Sequence, residues 1–114
     1  MTKLSPDVYS AAAGEVIRIT VQSFQFVINA VLDDKLTPVG PVSDSSKAGE
    51  LTMTNADTTF SVGYNFPNPL PAGGKYTRTI TGPGGFTDGP FDVLQPGSQA
   101  NVTLPYVVKH AGQA

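Results

Sequence analysis

Twelve glycines and ten prolines cut this chain into short runs. The residues between them are mainly Val, Ile, Thr, Phe and Tyr rather than straight-chain helix formers. Glycine and proline weaken a helix interior, and β-branched and aromatic side chains lose rotamer freedom there. The sequence is therefore held to short strands joined by turns.

The periodicity agrees. From Glu15 to Val21, Ile17, Ile19 and Val21 fall on one face and Val16, Arg18 and Thr20 on the other, the period-two pattern of a half-buried strand. Ser23 marks a bend or the start of a second run. In that run Phe24, Phe26, Ile28 and Ala30 alternate, while Val27, Val31 and Leu32 fill the other face, as in a central strand buried on both sides. A helix from Val16 to Leu32 is disfavoured by the density of β-branched and aromatic residues. The segment Pro38 to Gly49 is dense in Pro, Gly and Ser and reads as a long irregular connection crossing between sheets.

Further strands are expected at Glu50 to Thr54, Thr58 to Phe66 and Lys75 to Thr81. In the last of these Tyr76, Arg78 and Ile80 share a face, so Arg78 needs either solvent or an acidic neighbour. Gly82-Pro83-Gly84-Gly85 breaks the chain, Phe86 to Val93 forms an irregular edge strand, and Gln95-Pro96-Gly97-Ser98 is a turn. Asn101 to Val108 closes the series, with Pro105 arguing for an edge position or a bulge. Seven strands at this spacing, with no helix for parallel crossovers, give an antiparallel immunoglobulin-like or prealbumin-like β-sandwich. At 114 residues one domain spanning 1–114 is expected, with flexible ends at 1–13 and 109–114.

Composition narrows the function. With 14% charged residues and a net charge of −2, the chain has no basic stripe for a phosphate backbone, so nucleic acid is not an expected partner. No apolar run approaches the roughly 18 residues of a spanning helix, so membrane insertion is not expected and the chain reads as soluble. Cysteine is absent, which removes disulfides, thiolate nucleophiles and sulfur-ligated metals. The N-terminal residues lack the apolar core of a signal peptide, which reads as a cytoplasmic protein or an excised piece of a surface or secreted one.

Catalytic constellations are incomplete. The one histidine, His110, lies near the C-terminus, where a preorganised base is not expected, and one imidazole cannot build a nitrogen-ligated metal site. Asp33-Asp34 with Asp44 or Asp57 is the conceivable calcium set, with solvated turn residues the simpler reading. Glu15 and Glu50 are better read as ion-pair partners for Arg18 or Arg78 than as a catalytic carboxylate pair. Gly82 to Gly85 lacks the Lys-Ser/Thr and the helix of a phosphate loop. Asn101-Val102-Thr103 fits the N-glycosylation triplet. No enzyme, cofactor or metal is expected. The candidate ligand-binding residues are Tyr64, Asn65, Phe66 and Asn68, two aromatics and two amides around a proline-stiffened turn, suited to stacking on a sugar or peptide unless both rings belong to the core.

Thr59-Phe60-Ser61, Leu70-Pro71-Ala72-Gly73, Lys75-Tyr76-Thr77, Pro83-Gly84-Gly85-Phe86 and Asn101-Val102-Thr103-Leu104 occur in the order found in prealbumin-like modules of bacterial surface proteins. The segment Thr58 to Leu104 resembles their collagen-adhesin B-type and carboxypeptidase-regulatory-like forms. The resemblance implies a stalk, spacer or adhesive surface. In the form that makes an internal Lys–Asn isopeptide bond, a glutamate follows the tyrosine by four residues; here Ile80 stands at that place, so the bond is not expected at Asn101. The resulting expectation is a non-enzymatic interaction or structural module. Its partner is a protein or, through edge strands, a further copy of the chain; the alternative is a lectin-like carbohydrate-binding protein.

Overall fold

The computed structural model describes residues 1–95 and 100–111. Ten strands follow in order: β1 (Thr2–Ser5), β2 (Val8–Ala11), β3 (Val16–Phe24), β4 (Ala30–Leu32), β5 (Thr37–Ser43), β6 (Ser46–Thr52), β7 (Thr58–Asn65), β8 (Lys75–Thr81), β9 (Thr87–Val93) and β10 (Asn101–His110). They form two five-stranded sheets, one ordered β1-β2-β10-β7-β4 and the other β5-β6-β3-β8-β9. The pairings are antiparallel except that of β10 with β2, which is parallel. The expected all-β sandwich is present, with ten strands in place of seven.

The additional strands come from segments whose composition conceals them. Residues 1–13, expected to be a flexible end, contain β1 and β2; β2 is held by pairing with β10 and buries Tyr9 and Ala11. At the other end β10 continues through His110, and the Ala111 amide donates to Ala11 O at 2.8 Å. Residues 38–49 are not an irregular crossing but most of the β5–β6 hairpin, turned by Asp44-Ser45 between the paired Ser43 and Ser46. Their prolines are tolerated because β5 is an edge strand. The chain instead changes sheets on either side of β4, at 25–29 and 33–36, as it also does between β2 and β3, β6 and β7, β7 and β8, and β9 and β10. Gln25, at φ +72°, breaks the long run expected after Ser23, so β4 is a three-residue edge strand and not a central one.

Pro105 sits in a central strand without losing a ladder bond. Its register partner is Ser61 on β7, whose N–H donates to Asp33 Oδ2 and whose carbonyl accepts from the Asp33 amide, so Ser61 turns its backbone away from β10. The Pro105 nitrogen therefore faces β2, whose pairing with β10 begins only at Val107. The turn expected at Gln95 to Ser98 falls largely outside the described residues.

The inner faces follow the alternation. Ile17, Ile19 and Val21 of β3 and Tyr76 and Ile80 of β8 oppose Phe60, Val62 and Tyr64 of β7 and Tyr106 and Val108 of β10, all buried. All four tyrosines are fully buried, and each hydroxyl is satisfied. Tyr9 donates to Asp88 Oδ2 at 2.7 Å, and the Tyr64 and Tyr106 hydroxyls pair at 2.6 Å. Tyr76 donates to Asn65 O and accepts from the Asn29 amide, tying β8 to the opposite sheet.

Candidate functional site

The four residues of the aromatic turn separate according to strand parity. On β7 the even positions face inward, which places the Tyr64 ring in the core. Phe66, also buried, packs its ring against Tyr76 at 5.1 Å and Phe26 at 6.3 Å between centroids. Neither ring offers a face for stacking. Asn68 is exposed in the loop after β7. Asn65 is half-buried on the outer face, where its register partner across β7–β10 is Asn101.

That outer face carries a shallow cleft of about 280 Å³. Gly63 forms its floor, directly in register with Val31 of β4 on one side and Thr103 of β10 on the other. Asn65 and Asn101 stand at one end, and Ser61 and Asp33 line it further along. Asp33 is fixed in place: Oδ1 accepts from the Lys35 amide at 3.0 Å, and Oδ2 accepts from the Ser61 amide at 3.0 Å. The Lys35 hydrogen bond is the main cause holding the Asp33 carboxyl below its ordinary value, with burial acting in the opposite direction. Among the described residues, the side chains of Asn65, Asn101 and Thr103 make no hydrogen bond to the protein. Sequence reasoning singled out Asn65 for another reason and Asn101 to Thr103 as a glycosylation triplet. The signal that unites them is the odd parity of Ser61, Gly63 and Asn65, opposite the apolar Phe60, Val62 and Tyr64.

The remaining polar candidates are engaged structurally. Arg18 donates to Glu50 Oε2 from Nη2 at 2.8 Å and from Nε at 3.1 Å on the outer face of the other sheet, the ion pair expected from sequence. Glu15 lines, with Arg18 and Glu50, a second, open cleft of about 550 Å³, but its Oε1 accepts from the Ala12 amide at 2.7 Å and lies 3.7 Å from the Met1 amino group. Arg78, buried on the inner face of β8, finds its acidic neighbour in Asp7. Its guanidinium also lies over the rings of Tyr106 at 5.2 Å and Phe91 at 5.0 Å. Beside it Asp88 accepts from Lys3 Nζ at 3.2 Å as well as from Tyr9, closing the sandwich between β1 and β9.

The aspartates of the conceivable calcium set are dispersed. Asp33 is bound as described, while Asp57 accepts from the His110 amide at 2.7 Å and pairs with Lys109. Among the described residues no group of three or more His, Asp or Glu converges as a metal site, and no helix is long and apolar enough to cross a membrane. His110 belongs to β10 and not to a frayed tail.

Comparison with protein-family models, curated proteins and solved structures finds no match.

Proposed function

We propose that this chain is a non-enzymatic β-sandwich module that acts by presenting a surface to a partner. The observation that carries this reading is the disposition of its charged side chains. Arg78 with Asp7, Lys3 with Asp88, Arg18 with Glu50 and Lys109 with Asp57 are consumed in ion pairs, two between strands and two between a strand and a loop. A nucleophile, base or acid needs a free group with a second group positioned to activate it. The buried pair of Arg78 with Asp7 and the half-buried pair of Lys3 with Asp88 serve the fold instead. The resemblance of 58–104 to prealbumin-like surface modules is in line with a stalk, spacer or adhesive role.

The expected partner is a protein or a second copy of this chain. The sheet edges are poor templates for added strands: β1 and β4 have four and three residues, β5 carries Pro38 and Pro41, and β9 carries Pro90. Contact through a sheet face or the end loops is favoured over strand addition. The lectin alternative loses its aromatic platform with the burial of Tyr64 and Phe66.

Sedimentation velocity over a wide concentration range, paired with turnover assays on ester, peptide and glycoside substrates, tests the proposal. Substrate conversion above background that disappears in Glu50→Gln would overturn it. Self-association with no turnover supports it and identifies the second copy as partner.

A further inference from the structure

Gly63 stands in the middle of β7, where a glycine weakens a strand and marks a bulge, a bend or the close approach of a ligand or another backbone. The ladder around it is regular: β10 pairs with β7 without a break from Asn101↔Asn65 to Val108↔Thr58. The fold itself does not call for glycine here. Gly89 has φ +118°, and a Cβ at Gly49 would meet Leu32 and Leu36 at 3.0 Å. Gly63 has neither a left-handed φ nor a crowded neighbourhood: a Cβ there would meet Val31 at 3.7 Å and Thr103 Oγ1 at 3.8 Å, ordinary contact distances. What the missing side chain provides is the cleft.

We infer that this cleft is a binding site for a neutral, hydroxyl-rich ligand the size of one or two sugar rings, seated over Gly63 and held by Asn65, Asn101 and Thr103. The inference rests on the chain being a binding module but not on the identity of any protein partner. Each amide offers both donors and an acceptor, and a hydroxyl is both donor and acceptor, so two neighbouring amides and a threonine hydroxyl can satisfy adjacent hydroxyls of either polarity. The amides are side by side, since directly opposed residues of an antiparallel pair have Cβ atoms roughly 5 Å apart. All three groups lack a protein partner among the described residues and meet a ligand without first breaking an internal bond.

Charge and size narrow the class. Among the described residues no cation lines the cleft, so phosphate and carboxylate ligands find no counter-charge there, and the one carboxylate, Asp33, has both oxygens turned to the Lys35 and Ser61 amides. Val31, 59% exposed, supplies an apolar wall for the C–H face of a ring. The volume of about 280 Å³ lies near the lower end of the range for small-molecule sites, roughly 300 Å³. With no aromatic platform, affinity is expected in the millimolar range, on the order of 1 mM.

The test is titration of the ¹⁵N-labelled protein with methyl α-mannopyranoside, methyl β-glucopyranoside and methyl β-galactopyranoside, followed by two-dimensional amide spectra. Saturable shifts confined to Val31, Gly63, Asn65 and 101–103, including the side-chain amides of Asn65 and Asn101, are expected with at least one glycoside. Gly63→Val fills the notch and abolishes the shifts. Asn101→Ala, at an exposed position, weakens binding about tenfold and keeps the test valid if Gly63→Val does not fold. Flat titrations with all three glycosides, or shifts that persist unchanged in either variant, overturn the site and leave the interaction module standing. Slow hydrolysis of a bound glycoside would instead overturn the non-enzymatic reading while keeping the site.

Discussion

The hydroxyls of Tyr64 and Tyr106 meet at 2.6 Å inside the sandwich, so the two tyrosines satisfy each other where no solvent reaches. Removing one hydroxyl strands the other. Tyr106→Phe or Tyr64→Phe alone is expected to destabilise the protein by about 1–3 kcal/mol, the penalty for a buried polar group left without a partner. The double variant removes both polar atoms and is expected to lose much less than the sum of the singles. Urea denaturation of all four proteins measures the coupling, and strict additivity would show that the pair does not act as a unit.

Asp7 is expected to matter more than its partly exposed position implies. It holds φ +62°, a conformation that Asp and Asn tolerate better than most residues, and it is the acidic partner of the buried Arg78 guanidinium. Asp7→Ala removes both contributions and leaves a buried cation unpaired, with an expected loss of about 3 kcal/mol, the low end for such pairs. Asp7→Asn keeps the backbone preference and a neutral acceptor and should lie between wild type and alanine. Melting temperatures in that order support the account, and equal losses for the two variants would contradict it.

Stability should fall on the alkaline side. Burial raises Tyr9, Tyr76 and Tyr106 above their ordinary value and pushes Tyr64 up to about 12. In the unfolded chain each tyrosine titrates near pH 10. Above that pH the native state keeps protons that the unfolded state releases, so stability is fully present below about pH 10 and is lost as pH climbs through the folded values. Tyrosinate absorbance is expected to rise together with loss of the near-ultraviolet circular dichroism. Tyrosinate forming near pH 10 with that signal intact would mean the hydroxyls are not shielded as the fold requires.

Much of this arrangement was legible in the sequence because burial follows parity wherever strands are regular. Ile17, Ile19 and Val21 read directly as one buried face, whereas Tyr64, read as a candidate ligand contact, belongs to the core; Arg78, which called for either solvent or an acidic neighbour, has the second in Asp7. What the sequence concealed was set by tertiary pairing. Leu4 and Val8 lie in a polar stretch that becomes strand only because β10 and β2 meet; Pro38 to Ser43 becomes strand because an edge position tolerates proline. The cleft was hidden for a different reason. Its residues are separated by up to 72 positions, from Val31 to Thr103, and only the β4–β7–β10 register sets them side by side.

Gly49 and Gly63 provide the comparison that separates structural need from spare volume. Both lie within strands, yet a Cβ at Gly49 would sit 3.0 Å from Leu32 Cδ1 and from Leu36 Cβ, and Leu36 is buried at 4% exposure and cannot retreat without moving its backbone. Gly49→Ala is therefore expected to destabilise by about 1–3 kcal/mol through overpacking. At Gly63 the nearest atoms lie 3.7 Å or more from the added carbon, and replacing a mid-strand glycine reduces the entropy lost on folding. Gly63→Ala should stabilise by roughly 0.5 kcal/mol. Opposite shifts in the denaturation midpoints of the two variants are the expected result. Destabilisation by Gly63→Ala would show that the strand itself needs this glycine, and the cleft above it would then be a by-product of packing.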